Sequence, residues 1–246
     1  MVMNEGSFKQ ESPKAVILAG GKGTRLKPYT AVLPKPLLPI GEQPILEILI
    51  SRLSSAGIRN VIISVGHLAE LIMTFFGKGE KWNLEIEYVI EDIPLGTMGP
   101  LKLIDKLGEH FFVMNGDILT DLDFPALYKA HIESDAVMTV ATCRRDVPID
   151  FGVLSFDPAS KSIRSFEEKP TLSYHVSMGI YVLSQKCLKY IPENESFGFD
   201  QLILRLLNKG IPVHSYPYEG QWLDIGRELD YRQANEMINR KSPPPL

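Results

Sequence analysis

A glycine-rich segment that carries positive charge follows the first apolar run of the sequence. The run is Lys14–Leu18, and residues 19–25 then read Ala-Gly-Gly-Lys-Gly-Thr-Arg. Glycines allow backbone N–H groups to approach phosphate oxygens closely, and the lysine and arginine supply charge-assisted hydrogen bonds. The spacing fits neither the Walker A loop nor the dinucleotide-binding fingerprint, because Gly23 is followed by Thr-Arg and Leu26 takes the last glycine position. A plain tight turn is the alternative, and the cations beside three glycines favour phosphate binding.

One lysine and two aspartates stand where a reaction on phosphate groups would need them. Lys35 lies between two prolines, which stiffen the backbone around it. Asp117 follows the apolar run Phe111–Met114, and Asp224 lies in the sequence Trp-Leu-Asp-Ile-Gly. Two carboxylates from separate segments are what a magnesium ion shared with phosphate oxygens requires. An exposed loop lysine is the simpler reading of Lys35 alone, and a cation held at a fixed distance from the glycine segment is the functional alternative.

Two further groups of charged residues have two readings each. Asp121 and Asp123 mimic a metal-binding Asp-x-Asp motif, but the Phe-Pro that follows them favours the capped start of a helix. Glu168 and Lys169 close a strand, either as a solvated hairpin end or as a site for sugar hydroxyls and the sugar's phosphate. The five histidines are scattered without metal-ligand spacing. No arrangement of the Ser-His-Asp or Cys-His kind emerges.

The composition is that of a globular protein and argues against several classes of partner. The chain has 246 residues, 44% of them hydrophobic, and its 26 basic and 30 acidic side chains give a formal net charge of −4. A sequence-independent nucleic-acid binder would carry a basic excess. Cys143 and Cys187 are too few for a disulfide framework or a Cys-rich zinc site. The N-terminus is not of the secretory type and no apolar run approaches the roughly 20 residues of a spanning helix. We therefore expect a cytoplasmic protein that binds neither nucleic acid nor a membrane.

Apolar periodicity predicts an α/β fold. The first half alternates strands at 14–18, 61–65, 85–90 and 111–114 with helices at 45–56, 67–76 and 99–107. The second half is richer in strands, at 136–142, 152–156, 163–167 and 179–183, with helices at 199–208 and 228–239. Such alternation favours a mainly parallel sheet, and ligands should collect at the turns after Leu18, Ile90 and Met114. We expect one domain over 14–240, between flexible tails at 1–13 and 241–246.

A series of motifs resembles those of a known family. In order they read LAGGKGTRLKPYT, PKPLLPI, PLGTMGPL, NGD, EEKP, GIYVL and WLDIGR, and the resemblance runs from about Lys14 to Arg232. The sequence resembles the sugar-1-phosphate nucleotidylyltransferases, and it is most similar to the mannose-1-phosphate guanylyltransferase branch. The resemblance implies a Rossmann-like three-layer sandwich with a mixed, mainly parallel central sheet and a β-rich sugar-binding part. It also implies transfer of a nucleotidyl group from an NTP to a sugar 1-phosphate, release of pyrophosphate and a requirement for Mg²⁺.

The resemblance also implies roles for individual residues. Arg25, Lys35 and Asp117 would be catalytic. Arg25 would hold the departing pyrophosphate, Lys35 would bridge the NTP α-phosphate and the sugar phosphate, and Asp117 and Asp224 would bind Mg²⁺. The nucleotide would contact Leu18, Ala19, Gly20, Gly21, Gly23, Thr24, Arg25, Glu91, Gly96, Thr97 and Gly116. The sugar phosphate would contact Gly152, Glu168, Lys169 and Ser177.

The sequence gives less information about the base of the nucleotide and about the sugar. The Glu91 carboxylate only accepts hydrogen bonds, which suits the two adjacent donors of guanine, whereas a glutamine would suit uracil or thymine. GTP is therefore the favoured donor, with UTP or dTTP as alternatives, and a catalytically silent nucleotide-sugar-binding regulator is the alternative from another class. Ser177 stands where many relatives have asparagine. No hexapeptide repeats follow the last helix, so we expect the catalytic domain alone, and a homo-oligomer stays open.

Overall fold

The computed structural model describes residues 12–241, in which it has thirteen strands and five α-helices. The strands are β1 (Ala15–Leu18), β2 (Pro39–Ile40), β3 (Gln43–Pro44), β4 (Asn60–Val65), β5 (Glu85–Ile90), β6 (His110–Asn115), β7 (Ile118–Thr120), β8 (Met138–Pro148), β9 (Val153–Phe156), β10 (Ile163–Glu167), β11 (Thr171–Ser184), β12 (Val213–Tyr218) and β13 (Trp222–Asp224). The helices are α1 (Ile45–Ser55), α2 (Ala69–Phe76), α3 (Phe124–Ser134), α4 (Phe199–Asn208) and α5 (Glu228–Lys241). Most of the two expected tails lies outside the described residues.

Seven strands form one sheet in the order β12-β8-β11-β6-β1-β4-β5. β1 is parallel to β4 and β6, β4 is parallel to β5, and β12 is parallel to β8, whereas β11 is antiparallel to both β6 and β8. The sheet is therefore mixed and mostly parallel, which confirms the predicted fold class. At its carboxyl edge Leu18 of β1 pairs with Asn115 of β6 and with Ser64 of β4. The turns after these strands consequently meet at one place.

Both faces of the sheet are covered, because successive side chains of a strand point to opposite faces. Ala15 and Ile17 belong to a core that α1, α2 and α3 complete, and Val16 belongs to a second core on the other face that α4 completes. The result is three layers. A third, smaller cluster joins Leu26, beyond β1, to Leu223 of β13 and Ala234 of α5. This cluster ties the glycine segment to the strand that carries Asp224.

Two short pairs of strands lie outside the large sheet. β7 and β13 pair in antiparallel fashion, with Asp224 opposite Ile118. β9 and β10 form an antiparallel two-stranded ribbon that extends beyond β8 and β11. A hydrogen bond from Ile149 N to Pro170 O, 2.9 Å long, closes the base of this ribbon. The β8–β11 pairing shifts in register between Ser177 and Tyr181, about halfway along β11.

Most predicted elements are present, and the exceptions have local causes. The helix predicted at 99–107 is a 3₁₀ turn, Gly99–Leu103, because a glycine and a proline begin it and the chain is extended at Ile104. The capped helix start expected near Asp123 is present, since Asp123 Oδ1 accepts a hydrogen bond from Ala126 N at 3.0 Å. β2, β3, β7, β12 and β13 were not predicted. None of the helices within residues 12–241 is both long and apolar enough to cross a bilayer.

A hydrogen-bonded histidine pair joins α3, which carries His131, to β6, which begins at His110. His131 is buried; its Nδ1 is 2.8 Å from Thr139 Oγ1 and its Nε2 is 2.9 Å from His110 Nδ1. Burial, with smaller contributions from His110 and His214, lowers the pKa of His131 from 6.5 to about 4. The unfolded chain therefore binds this proton more tightly than the folded protein, and the folded state loses stability as the pH falls from 6.5 towards 4.

We predict that His131→Gln flattens this pH dependence. One proton taken up only on unfolding corresponds to at most about 1.4 kcal/mol per pH unit, so the native protein should show a steeper slope than the variant between pH 6.5 and 4. Urea denaturation at several pH values measures both slopes. His175→Gln, at an exposed position, serves as the control and should keep the native slope. Equal slopes in native protein and His131→Gln would contradict the prediction.

Candidate active site

A cavity of about 430 Å³ lies at the carboxyl edge of the sheet. Three turns form its walls: the glycine segment after β1, the loop after β5 and the turn after β6. Its lining residues are Leu18, Ala19, Gly20, Gly21, Gly23, Thr24, Arg25, Lys35, Pro36, Glu91, Pro94, Gly96, Thr97, Asn115, Gly116 and Asp117. The structure thus brings together every residue that the sequence proposed for the nucleotide, as well as Lys35 and Asp117. Asn115, Pro36 and Pro94 are additional.

The glycine segment is held tightly against its neighbours. Gly23 has a positive φ of 59°, and its carbonyl oxygen accepts a hydrogen bond from Thr30 Oγ1 at 2.8 Å. A Cβ at Gly20 would lie 2.6 Å from Glu91 Oε1, whereas a Cβ at Gly21 would meet nothing within 4 Å. The two adjacent glycines therefore differ: Gly20 is required by close packing, and Gly21 faces open space.

Glu91 connects the glycine segment to the loop after β5. Its Oε1 accepts a hydrogen bond from Ser64 Oγ at 2.6 Å, and its Oε2 accepts one from Leu95 N at 3.1 Å. Each carboxylate oxygen has a second lone pair, so the side chain keeps capacity for a ligand. Ser64, a polar residue inside the apolar run of β4, was missed by the sequence analysis, although this break in apolar character was a usable signal.

The start of α4 supports the same loop from behind. Phe197 O accepts hydrogen bonds from Met98 N at 2.9 Å and Gly99 N at 3.2 Å, and Phe197 N donates to Leu95 O at 2.8 Å. Thr97 Oγ1 accepts a hydrogen bond from Phe199 N at 2.8 Å. The wall that contains Thr97 is consequently fixed by backbone groups about 100 residues away along the chain. Backbone contacts of this kind leave no mark in the sequence.

Lys35 and Asp117 form an ion pair at the floor of the cavity. Lys35 begins a 3₁₀ turn, and its Nζ donates to Asp117 Oδ2. The Lys35 side chain is only 11% exposed, so the structure does not support the reading of an exposed loop lysine. Asp117 Oδ1 is buried and is the one such side-chain oxygen among the side chains described, residues 12–237, without a hydrogen-bond partner. An oxygen of this kind is suited to a cation.

Asp224 lies close to this pair because β13 runs beside β7. Ile225 N donates to Asp117 O at 3.1 Å, which holds the ends of the two strands together. Burial raises the pKa of Asp224, Asp117 raises it further, and Lys35 and Arg25 oppose the rise. A Cβ at Gly226 would lie 3.6 Å from Arg25 Nη1 and 3.7 Å from Asp224 Oδ1, so the Arg25 guanidinium shares this space. Arg25, Lys35 and Asp117 therefore line the cavity, and Asp224 lies beside them although it is not part of the lining.

This donor set fits a magnesium ion that has further ligands outside the protein. No group of three or more Asp, Glu, His or Cys side chains in the described part of the chain could hold a metal alone. Mg²⁺ commonly takes one or two carboxylates and completes its shell with water and substrate phosphates. The unpartnered Asp117 Oδ1 and the neighbouring Asp224 carboxylate meet that requirement.

The residues predicted for the sugar phosphate do not line the cavity. Gly152 and Glu168 lie at the base of the ribbon, where a Cβ at Gly152 would be 3.1 Å from Glu168 Oε2. Lys169, which has a positive φ of 46°, follows them. Ser177 lies on β11; its Oγ accepts a hydrogen bond from Gly179 N at 3.2 Å and donates to Tyr181 Oη at 3.3 Å.

Tyr181 links Ser177 to the carboxylate end of the cavity. Burial raises the pKa of Tyr181 to about 12, with a further contribution from the charge of Asp224. Its ring stacks on Phe199 with 4.5 Å between the ring centroids. The sequence analysis did not single out Tyr181. Its phenol is a polar group in an apolar part of β11, just as Ser64 is a polar residue in the apolar run of β4.

The Asp-x-Asp pair has structural partners. Asp121 Oδ1 accepts hydrogen bonds from Tyr218 Oη and from Gln221 N, the latter at 2.7 Å. Asp123 caps α3. Both side chains therefore hold loops and helix ends together, in agreement with the reading that the sequence favoured.

The sequence matches one family model and several curated proteins that are named for the same class of reaction. The family model described as nucleotidyl transferase matches residues 14–241. The chain is 34% identical over 241 residues to the UTP–glucose-1-phosphate uridylyltransferase of Synechocystis sp., covering 90% of this chain and 62% of that protein. It is 35% identical over 226 residues to the mannose-1-phosphate guanyltransferase of Aspergillus fumigatus, covering 89% and 62%. The chain thus spans less than two thirds of the length of these curated relatives.

Two solved structures share the architecture. One is a putative glucose-1-phosphate thymidylyltransferase from Bacillus anthracis in complex with sucrose, with a TM-score of 0.75, 27% identity and coverage of 92% of this chain and 95% of that one. The other is HddC from Yersinia pseudotuberculosis complexed with GMP-PN, with a TM-score of 0.67, 30% identity and coverage of 92% and 99%. The first protein is named for thymidylyl transfer, and the second is bound to GMP-PN.

We predict that Gly20→Ala weakens binding of a nucleoside triphosphate about tenfold or more, because its Cβ would displace the fixed Glu91 side chain and the backbone around it. Lys129→Ala is the control, since Lys129 is exposed on α3 and does not line the cavity. Titration with a fluorescent triphosphate measures both affinities. Circular dichroism checks that both variants fold. The same affinity in both variants would show that the Gly20–Glu91 contact does not shape the site.

Proposed function

This chain belongs to the nucleotidyl transferase family, and we propose that it transfers a nucleotidyl group from an NTP to a sugar 1-phosphate, giving an NDP-sugar and pyrophosphate. The observation that carries the proposal is that Lys35, Arg25 and Asp117 line a cavity walled by a glycine segment, with Asp224 beside them. The names of the similar curated proteins describe the same class of reaction on two different bases.

The chemistry needs cations more than it needs a general base. A sugar 1-phosphate already carries an anionic oxygen at neutral pH, and the barrier is the approach of two polyanions in line at the α-phosphorus. Backbone N–H groups of Gly20, Gly21, Gly23 and Thr24 would bind the triphosphate. Arg25 would hold the pyrophosphate as it leaves. Lys35 would stabilise charge on the α-phosphate and the attacking phosphate.

Mg²⁺ is part of the proposal. Asp117 and Asp224 would hold it, and when bound it would neutralise charge on the phosphate oxygens. Lys35 is paired with Asp117 in the free chain, so the lysine is kept at the place where the phosphates must enter.

The sugar side of the proposal rests on the ribbon and on β11. Glu168 would bind sugar hydroxyls, Lys169 would bind the sugar's phosphate, Gly152 would lie against the sugar, and Ser177 would contact the phosphate side through its position near Tyr181. These residues lie on segments of the chain that do not line the cavity.

GTP is the proposed donor. Glu91 is an acceptor at the wall that also contains Gly96 and Thr97, and guanine presents two donors on one edge. UTP and dTTP are the alternatives, because the curated relatives include a uridylyltransferase as well as guanyltransferases. A catalytically silent regulator that binds nucleotide sugars is disfavoured by the retention of both cations and both carboxylates. A single domain over 14–240, a cytoplasmic location and the absence of nucleic-acid and membrane partners stay predictions.

We predict that Lys35→Ala, Asp117→Ala and Asp224→Ala each lower turnover by more than about 10²-fold, the loss expected for one electrostatic contact to the transition state. Pyrophosphate release with Mg²⁺ present measures the rates. Lys129→Ala, which removes one member of an exposed pair with Glu133, should keep the native rate. Near-native turnover in any of the three variants would remove that residue from the proposed machinery.

A panel of four NTPs and several sugar 1-phosphates tests the function and the base. We expect pyrophosphate release with GTP to exceed release with UTP or dTTP, and Glu91→Gln to reduce this preference. Equal turnover with UTP, or turnover with CTP alone, would overturn the choice of GTP and leave the reaction class standing. No pyrophosphate release with any combination would overturn the proposed function itself.

A further inference from the structure

Asn115 is a polar residue of the cavity that the proposed chemistry leaves unused. It ends β6 and lines the cavity together with Gly116 and Asp117. Its side chain is half-buried, and within residues 12–237 its amide makes no hydrogen bond to another group. A carboxamide offers two donor hydrogens and one acceptor oxygen. The cavity thus has, beside Asp117, a neutral side chain whose hydrogen-bonding capacity is free for a ligand.

The position of this amide is set by β11, the strand next to β6 in the sheet. A Cβ at Gly179 would lie 2.6 Å from Asn115 Nδ2 and 3.2 Å from Asn115 Cγ, so the amide packs against the bare Cα of Gly179. The backbone N–H of Gly179 donates to Ser177 Oγ at 3.2 Å. Asn115 therefore joins the cavity to the part of β11 that carries Ser177, one of the residues proposed for the sugar phosphate.

The order of the strands indicates which substrate lies on this side. The neighbouring strands are β5, β4, β1, β6 and β11 in that order. In the proposed reaction the base lies at the loop after β5, and the triphosphate lies at the glycine segment after β1. The attacking oxygen enters in line with the departing pyrophosphate, from the opposite side of the α-phosphorus. Because Lys35 and Asp117 mark the α-phosphate at the end of β6, the acceptor should approach from the side of β11, where the Asn115 amide lies.

We propose that the Asn115 amide hydrogen-bonds a ring hydroxyl of the acceptor sugar, which makes Asn115 a residue that determines acceptor specificity. The inference rests on the proposed function and adds to it a contact inside the cavity, whereas Glu168 and Lys169 lie outside the lining. A hydroxyl both donates and accepts hydrogen bonds, and the amide does the same. A further carboxylate at this place would repel the phosphates, whereas the amide is neutral.

This contact predicts discrimination between acceptors. A site that hydrogen-bonds a substrate hydroxyl rejects the analogue without that hydroxyl, because the polar group of the protein is then left unpaired. An amide that contacted the ribose instead would select against deoxy nucleotides and leave the choice of sugar unchanged. The two arrangements therefore differ in which substrate has a KM that depends on Asn115.

Steady-state pyrophosphate release by Asn115→Leu, which keeps a similar volume without polar atoms, tests the proposal. The acceptors are glucose 1-phosphate and mannose 1-phosphate, or the sugar 1-phosphate of the panel that reacts if these two do not, and the donor is the NTP that the native protein uses best. We expect KM for the acceptor to rise about tenfold and KM for the NTP to stay within about twofold of the native value. Asn60→Leu is the matched control, because Asn60 is a half-buried asparagine at the start of β4 that does not line the cavity, and it should keep both native values.

Monodeoxy analogues of the same acceptors identify the hydroxyl. In the native protein one analogue should have a KM about tenfold above that of its parent, and in Asn115→Leu the same analogue should match its parent. Equal losses in both proteins for every analogue, or a change of KM confined to the NTP, would overturn the proposal and leave the reaction class standing. No turnover of any sugar 1-phosphate by the native protein would overturn the proposed function and this inference with it. If circular dichroism shows that Asn115→Leu does not fold, Asn115→Ala replaces it, with the same expected direction.

Discussion

The closeness of Asp117 and Asp224 is the constraint on which the rest of the site depends. Two neighbouring carboxylates repel each other, and the rise in the pKa of Asp224 reflects desolvation and the charge of Asp117. Lys35 and Arg25 act against this repulsion, while the pairing of β7 with β13 prevents the side chains from separating. The free protein therefore holds an arrangement that a further positive charge would relieve. Such an arrangement is suited to a site that receives a cation together with a polyanion.

Much of the fold could be predicted because its elements have strong local patterns. The helix α4 begins and ends where apolar spacing predicted it, and α1 differs by one residue. The central strands are short apolar runs between turn residues, and their order along the chain was enough to indicate a mostly parallel sheet. β7 and β13 could not be predicted, since each has three residues and each exists only because the other lies beside it.

The group of residues that line the cavity was predictable for a simple reason. Most of these residues directly follow parallel strands. Because the carboxyl ends of parallel strands lie at the same edge of a sheet, residues that follow the strands in the sequence lie close together in space. The positions of the residues predicted for the sugar phosphate could not be inferred in this way, because the place of the ribbon depends on how far β8 and β11 extend beyond the sheet. The hydrogen bonds of Phe197 and Phe199 could not be predicted either, because they use backbone groups and do not depend on the type of side chain. The net charge of −4 indicated that the cations would be gathered at one site, because the chain as a whole does not attract anions.

The length of β11 has a consequence for how such a protein can change over time. The strand runs from Thr171 to Ser184; its last five residues pair with β6 inside the sheet, and its first half pairs only with β8. The shift in register between Ser177 and Tyr181 divides the two parts. Substitutions in the outer part can reshape the surface of the chain there without moving the turns that line the cavity. One cavity can therefore be kept through evolution while the surface beyond the sheet diversifies.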